Sequence, residues 1–117
     1  MKRKNYTTFA AIHLGSEMLS MQITEYHNTE RYKVIECCNR RIRLGEATFK
    51  NKIIPFPLVS EICEILIGFK RLMKEYGVEE YVMQATTAVR EASNQVFLLD
   101  QIYNKTGLVV DVVDMPK

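Results

Sequence analysis

Between Val59 and Tyr76 the apolar residues recur at three- and four-residue steps: Val59, Ile62, Cys63, Leu66, Phe69, Leu72, Met73 and Tyr76. A helix over this run carries one continuous apolar stripe, and a stripe of that length must be buried against another layer. Glu61 and Glu64 sit early in it and Lys70, Arg71 and Lys74 late, as the helix macrodipole favours. Gly77 then supplies a stop in the left-handed conformation.

The flanking segments say what the stripe packs on. Phe9–His13 reads as a short apolar strand, and Leu19–Tyr26 alternates around Met21, Ile23 and Glu25 as a second, with Gly15-Ser16 as the turn between them. His27-Asn28-Thr29-Glu30 supplies the next turn, and Arg31–Arg43 alternates again, giving an antiparallel meander. Residues 45–57 read as irregular, because Pro55 and Pro57 oppose regular helix and central strand alike. Tyr81–Ala85 predicts a strand parallel to the first. After it, residues 86–94 predict one helical turn and a break. Asn94 is placed to cap a second helix over Gln95–Lys105, with Val96, Leu99, Ile102 and Tyr103 inward and Gly107 closing it. Leu108–Val113 is a final β-branched strand. The pattern β-β-β-α-β-α-β predicts an α/β fold with a mixed five-stranded sheet, the ribonuclease-H-like topology of the actin-like ATPases.

Composition narrows the function classes. A chain of 117 residues predicts one domain, with 47% hydrophobic and 26% charged residues as in ordinary globular proteins. A net charge of +2, with basic residues concentrated at Lys2-Arg3-Lys4 and Arg40-Arg41-Arg43 and no aromatic interleaving, gives no case for nucleic acid. Three cysteines, two of them adjacent at Cys37-Cys38, do not make a disulfide framework, and a reducing cytoplasmic setting is expected. No apolar run approaches membrane-spanning length.

Chemistry is concentrated in three segments. The first is Phe9-Ala10-Ala11-Ile12-His13-Leu14-Gly15-Ser16-Glu17-Met18-Leu19-Ser20-Met21, a strand–turn–strand whose Gly-Ser turn can wrap backbone N–H groups around an anion. The second is Arg43-Leu44-Gly45-Glu46, and the third is Ala85-Thr86-Thr87-Ala88-Val89-Arg90-Glu91-Ala92-Ser93-Asn94. Together they resemble the N-terminal domain of the exopolyphosphatase/guanosine-pentaphosphate phosphatase (Ppx/GppA) family, over about residues 8 to 114. That family reads roughly Ile-Asp-x-Gly-Ser-Asn-Ser-x-Arg at the first segment and Ala-Thr-x-Ala-x-Arg-x-Ala-x-Asn at the third. The resemblance implies phosphoanhydride hydrolysis on polyphosphate or guanosine pentaphosphate, usually with Mg²⁺. It implies phosphate contacts from Gly15, Ser16, Arg43, Glu46, Thr86 and Arg90. The catalytic Glu is expected in a segment beyond Lys117, and a second lobe supplies a further glycine-rich loop.

The first segment departs from the family pattern where the chemistry lies. His13 stands for the Asp, Glu17 for the Asn, Met18 for the Ser and Ser20 for the Arg. Imidazole suits Mg²⁺ poorly, Glu17 repels a polyanion, and Met18 offers no useful hydrogen bond. The chain is therefore expected to be inactive by itself and to bind no metal. His13 reads either as a metal ligand or as a structural imidazole at a strand end. Arg90 reads either as a forked phosphate contact or as the ion-pair partner of Glu46. Thr86 reads either as a phosphate donor or as a helix cap. A non-catalytic interaction module, self-associating through an exposed apolar surface, is the alternative function.

Overall fold

A computed structural model describes residues 6–28 and 30–113. Thr29 of the second turn, Lys2-Arg3-Lys4 and residues 114–117 lie outside the described residues. The elements run β1 (Thr7–Leu14), β2 (Met18–Tyr26), β3 (Tyr32–Arg41), α1 (Leu44–Asn51), α2 (Phe56–Glu75), β4 (Glu80–Ala85), α3 (Thr87–Arg90), α4 (Gln95–Thr106) and β5 (Asp111–Val112). They form one five-stranded sheet in the order β3-β2-β1-β4-β5. β1 pairs antiparallel with β2 and parallel with β4, and β4 pairs parallel with β5. This is the expected mixed sheet.

Alternation along the strands divides the sheet into a dry and a wet face. Ala10, Ile12, Leu14, Leu19, Met21, Ile23, Met83 and Ala85 are at most 2% exposed. They form one core with Val59, Ile62, Cys63, Leu66, Phe69 and Met73 of α2 and Leu98 and Ile102 of α4. The stripe read from the sequence is thus the surface that α2 buries, and each such side chain contributes about 1.5–3 kcal/mol of transfer free energy. The opposite residues, Ala11, His13, Gln22, Cys37, Asn39, Val82 and Gln84, are exposed. Helices cover one face only.

The connections follow from local chemistry. Asn28 Oδ1 accepts from the backbone N–H groups of Glu30 and Arg31 (2.8 and 2.9 Å), closing the β2–β3 turn. Gly77 and Gly107 take the left-handed conformation that ends α2 and α4, with φ of 68° and 77°. The hydroxyl of Tyr76 donates to Glu36 (2.7 Å) and ties the end of α2 to the edge strand β3. That bond to the carboxylate, aided by burial, raises the phenol above its ordinary pKa.

Four expectations are corrected. Residues 44–51 form helix α1, not irregular chain. The prolines lie beyond its end, where Lys52 turns left-handed at φ 61° and Pro57 sits in the first turn of α2, a position that needs no N–H. The inward face of α4 is Leu98 and Ile102, whereas Val96 and Tyr103 are 67% and 57% exposed, so the periodic pattern was set at the wrong phase. Asn94 does not cap α4 with its side chain. Its carboxamide instead accepts from the Ile54 N–H and donates to the Ile54 carbonyl, both at 2.9 Å. Finally, β5 is only Asp111–Val112, because the Val109 N–H is taken by the Tyr81 hydroxyl (2.9 Å) and does not join the ladder.

The Asn94 clamp joins segments 40 residues apart and leaves no unpaired amide atom. Asn94→Ala orphans two partly buried backbone groups and is expected to cost about 1–3 kcal/mol, read as a lower urea midpoint at unchanged slope.

Candidate functional site

β1 and β2 are Cα partners down to Leu14↔Leu19, which leaves Gly15, Ser16 and Glu17 as the turn. The Gly15 N–H donates to the Met18 carbonyl (2.9 Å) and closes it. Two further bonds anchor the turn to the next segment: Ile42 N–H to the Glu17 carbonyl (2.9 Å) and Gly45 N–H to the Ser16 carbonyl (2.8 Å). The carbonyls are therefore satisfied, whereas the N–H groups of Ser16 and Glu17 have no partner among the described residues. Unpaired consecutive N–H groups at a tight turn are the element that binds anions through the backbone.

Ser16 and Glu17 line a pocket of about 460 Å³ together with Arg41, Ile42, Arg43 and Glu46. Two guanidinium groups thus stand beside the turn, and two carboxylates balance them. Arg41 belongs to the site although the motifs do not include it. Its register partner Met18 puts it at the rim of the turn, a placement that depends on how β3 pairs with β2. Gly45 is required here. A Cβ on it would lie 2.8 Å from the Ser16 Cβ and 3.2 Å from the Phe49 ring.

Of the residues the resemblance implied, Ser16, Arg43 and Glu46 are brought together, with Gly15 in the same turn. Thr86 is attached from behind, its N–H donating to the Leu14 carbonyl at 3.3 Å, and it precedes α3 without a side-chain cap bond. Arg90 does not line the pocket. Its guanidinium donates to the Val113 carbonyl (3.4 Å) and, among the described residues, pairs with Glu91 at 3.8 Å rather than with Glu46.

His13 and Ser20, standing for the family's Asp and Arg, are Cα partners across β1 and β2. Both face the wet side, in one row with Gln84 and Asn39. Neither position holds a carboxylate or a guanidinium. At His13 a ring nitrogen stands where Mg²⁺ would take an oxygen ligand. Among the described residues no group of three or more His, Cys, Asp or Glu could hold a metal ion. All three cysteines are free. Burial pushes the thiols of Cys38 and Cys63 up, away from the thiolate a nucleophile needs. No helix among the described residues is long and apolar enough to cross a membrane.

The model of the Ppx/GppA phosphatase family matches residues 22–117. The chain belongs to this family. The match begins at Gln22, so the altered turn precedes it while the segments at 43–46 and 85–94 fall inside. Solved structures agree along almost the whole length. A Ppx/GppA family member from Aquifex aeolicus superposes with TM-score 0.88 at 26% identity, covering 93% of this chain and 35% of that one. An exopolyphosphatase from Cytophaga hutchinsonii superposes with TM-score 0.86 at 22% identity, covering 92% and 34%. The fold is thus the actin-like ATPase fold expected from the element order. A bifunctional 3-dehydroquinate synthase/phosphatase of Fusobacterium nucleatum is 23% identical over 99% of this chain and 18% of its own length. The chain spans about a third of the length of those structures.

Gly45→Ala tests the architecture of the turn. The added methyl must displace Ser16 or Phe49, with an expected cost of about 1–3 kcal/mol, and amide shifts in an NMR spectrum should centre on Ser16, Glu17 and Phe49.

Proposed function

We propose that this chain is a phosphoanhydride-hydrolase domain of the Ppx/GppA type that keeps the grip on a phosphoryl group and lacks hydrolysis by itself. The observation that carries the reading is the contrast within one turn. Ser16 and Glu17 offer N–H groups without a partner among the described residues, flanked by Arg41 and Arg43, while the strand positions beside them hold His13 and Ser20. Backbone amides and guanidinium forks bind phosphate without a metal. Hydrolysis further requires a positioned water, a base to activate it and charge on the leaving oxygens. Glu17 and Glu46 are carboxylates that line the same pocket as the arginines and temper its affinity for a polyanion. The phosphoryl end of polyphosphate or of a guanosine polyphosphate is the ligand class this reading assigns.

Phosphate release from polyphosphate with Mg²⁺ present should equal the blank, and turnover would refute the inactivity. Inorganic triphosphate should bind with salt-dependent affinity, measured by calorimetry. Replacing Arg41 and Arg43 together by Ala should weaken it by roughly 10- to 100-fold, the loss of one to two charge-assisted contacts. An unchanged affinity would remove the anion from this turn.

The wet face of the sheet supports a second reading, an interaction module. Tyr32 is 63% exposed and Tyr26 and Val34 each 41%. Tyr26 touches Tyr32 at a ring separation of 5.8 Å and Phe9 at 6.4 Å. An exposed aromatic row on an uncovered sheet face invites a protein surface. Sedimentation should then show mass rising with concentration and Tyr32→Lys suppressing the rise, whereas a monomer at every concentration would count against self-association.

A further inference from the structure

Strand β3 is the long edge of the sheet, paired with β2 on one side and, among the described residues, with no strand on the other. Such an edge is a template for another chain unless it is short, bulged or charged against pairing. The opposite edge, β5, is only Asp111–Val112. β3 runs for 10 residues, and its register steps from Ile23↔Glu36 to Thr24↔Val34, leaving Ile35 as a bulge. The bulge blunts the half that begins at Tyr32. From Glu36 to Arg41 the strand is regular and open.

On the helix side this regular half borders a groove. Tyr76 donates to Glu36 (2.7 Å), and Cys38 and Arg40 line about 310 Å³ with Ile65, Gly68, Phe69 and Leu72 of α2. A Cβ on Gly68 would meet nothing within 4 Å, so the groove is open over the middle of the helix. Arg40 is exposed and shares the groove with Glu64, yet it has no ion-pair partner among the described residues.

The charges on this half are self-complementary in one register. Antiparallel pairing with an identical segment, centred on Cys38, sets Glu36 of each copy opposite Arg40 of the other. Centring on Cys37 leaves Glu36 opposite Cys38 and brings Lys33 towards the two arginines; centring on Asn39 leaves Glu36 opposite Ile42. We infer that a second copy of this chain adds its own β3 to this edge in the Cys38-centred register, making one sheet across both copies. The reciprocal Glu36–Arg40 pairs lie on the helix side, and backbone bonds take up the open edge. The inference rests on the self-association of the interaction-module reading and adds the strand edge to its aromatic row.

Sedimentation of two variants and their mixture tests the register. Arg40→Glu turns both charge pairs repulsive and should raise the dimer dissociation constant by on the order of tenfold or more. Glu36→Lys alone should do the same, whereas an equimolar mixture of the two restores two attractive pairs and should recover dimers. A second measurement leaves Glu36 and its bond to Tyr76 in place. In Cys37→Ser, a short bismaleimide should link two copies through Cys38, since opposed Cα atoms of an antiparallel pair stand about 4.5–5.5 Å apart. Adding Arg40→Glu should abolish that link. Folded variants whose mixture stays monomeric, or a dimer that gives no Cys38 link, overturn the inference. Dimers lost in Tyr32→Lys but unchanged in Arg40→Glu also overturn it, while leaving self-association through the aromatic row standing. A monomer at every concentration removes both.

Discussion

Strand β1 carries the architecture because three things are fixed to its last residues. On its dry side Ala10, Ile12 and Leu14 sit under the helices with no more than 2% exposure. On its edges it holds β2 antiparallel and β4 parallel, so it is the one strand through which the meander joins the parallel half. At its end, the Leu14 carbonyl takes the Thr86 N–H, and Gly15 starts the turn. Parallel pairing obliges the chain to leave β1, cross by helix and return in the same direction. As a result the Ser16 turn, the start of α3 and the loop before α1 all meet at one end of the sheet. The site is a consequence of strand direction before it is a consequence of any side chain.

Much of this was legible from the residues, and the exceptions have physical causes. The long stripe of α2 was readable because five turns of repetition outweigh local noise, and the strands were readable because only one sheet face is buried. Helix α1 was not, since two turns contain too few apolar positions to set a period, and the prolines that follow it masked the signal. The phase of α4 was misplaced because Val96 and Tyr103 are apolar yet outward. Asn94 was given the role its type most often has before a helix, whereas the loop 40 residues earlier competes for its carboxamide. Of the residues gathered at the candidate site, Gly15, Ser16, Arg43 and Glu46 could be named from motifs. Arg41 could not, because its membership depends on strand register, and Arg90 is drawn instead to the backbone of Val113.

The altered turn separates shape from reactivity. Three of its backbone bonds, from Gly15, Ile42 and Gly45, hold it closed without using any side chain. Substitution at Glu17 and Met18 therefore leaves the loop's path intact. His13 and Ser20 face each other across the strands, so changing only one of an acid–base pair at these positions would leave a lone charge beside the turn. Here neither position holds a carboxylate or a guanidinium. The path of the turn is thus set by backbone bonds and not by the side chains it carries.

The carboxamide of Asn94 grips Ile54 one residue before Pro55, and it stands at the threshold of α4. Linker and helix are consequently one mechanical unit. Opening the residues before α2 therefore requires releasing the start of α4 as well, and the backbone amides at the two places are expected to exchange together.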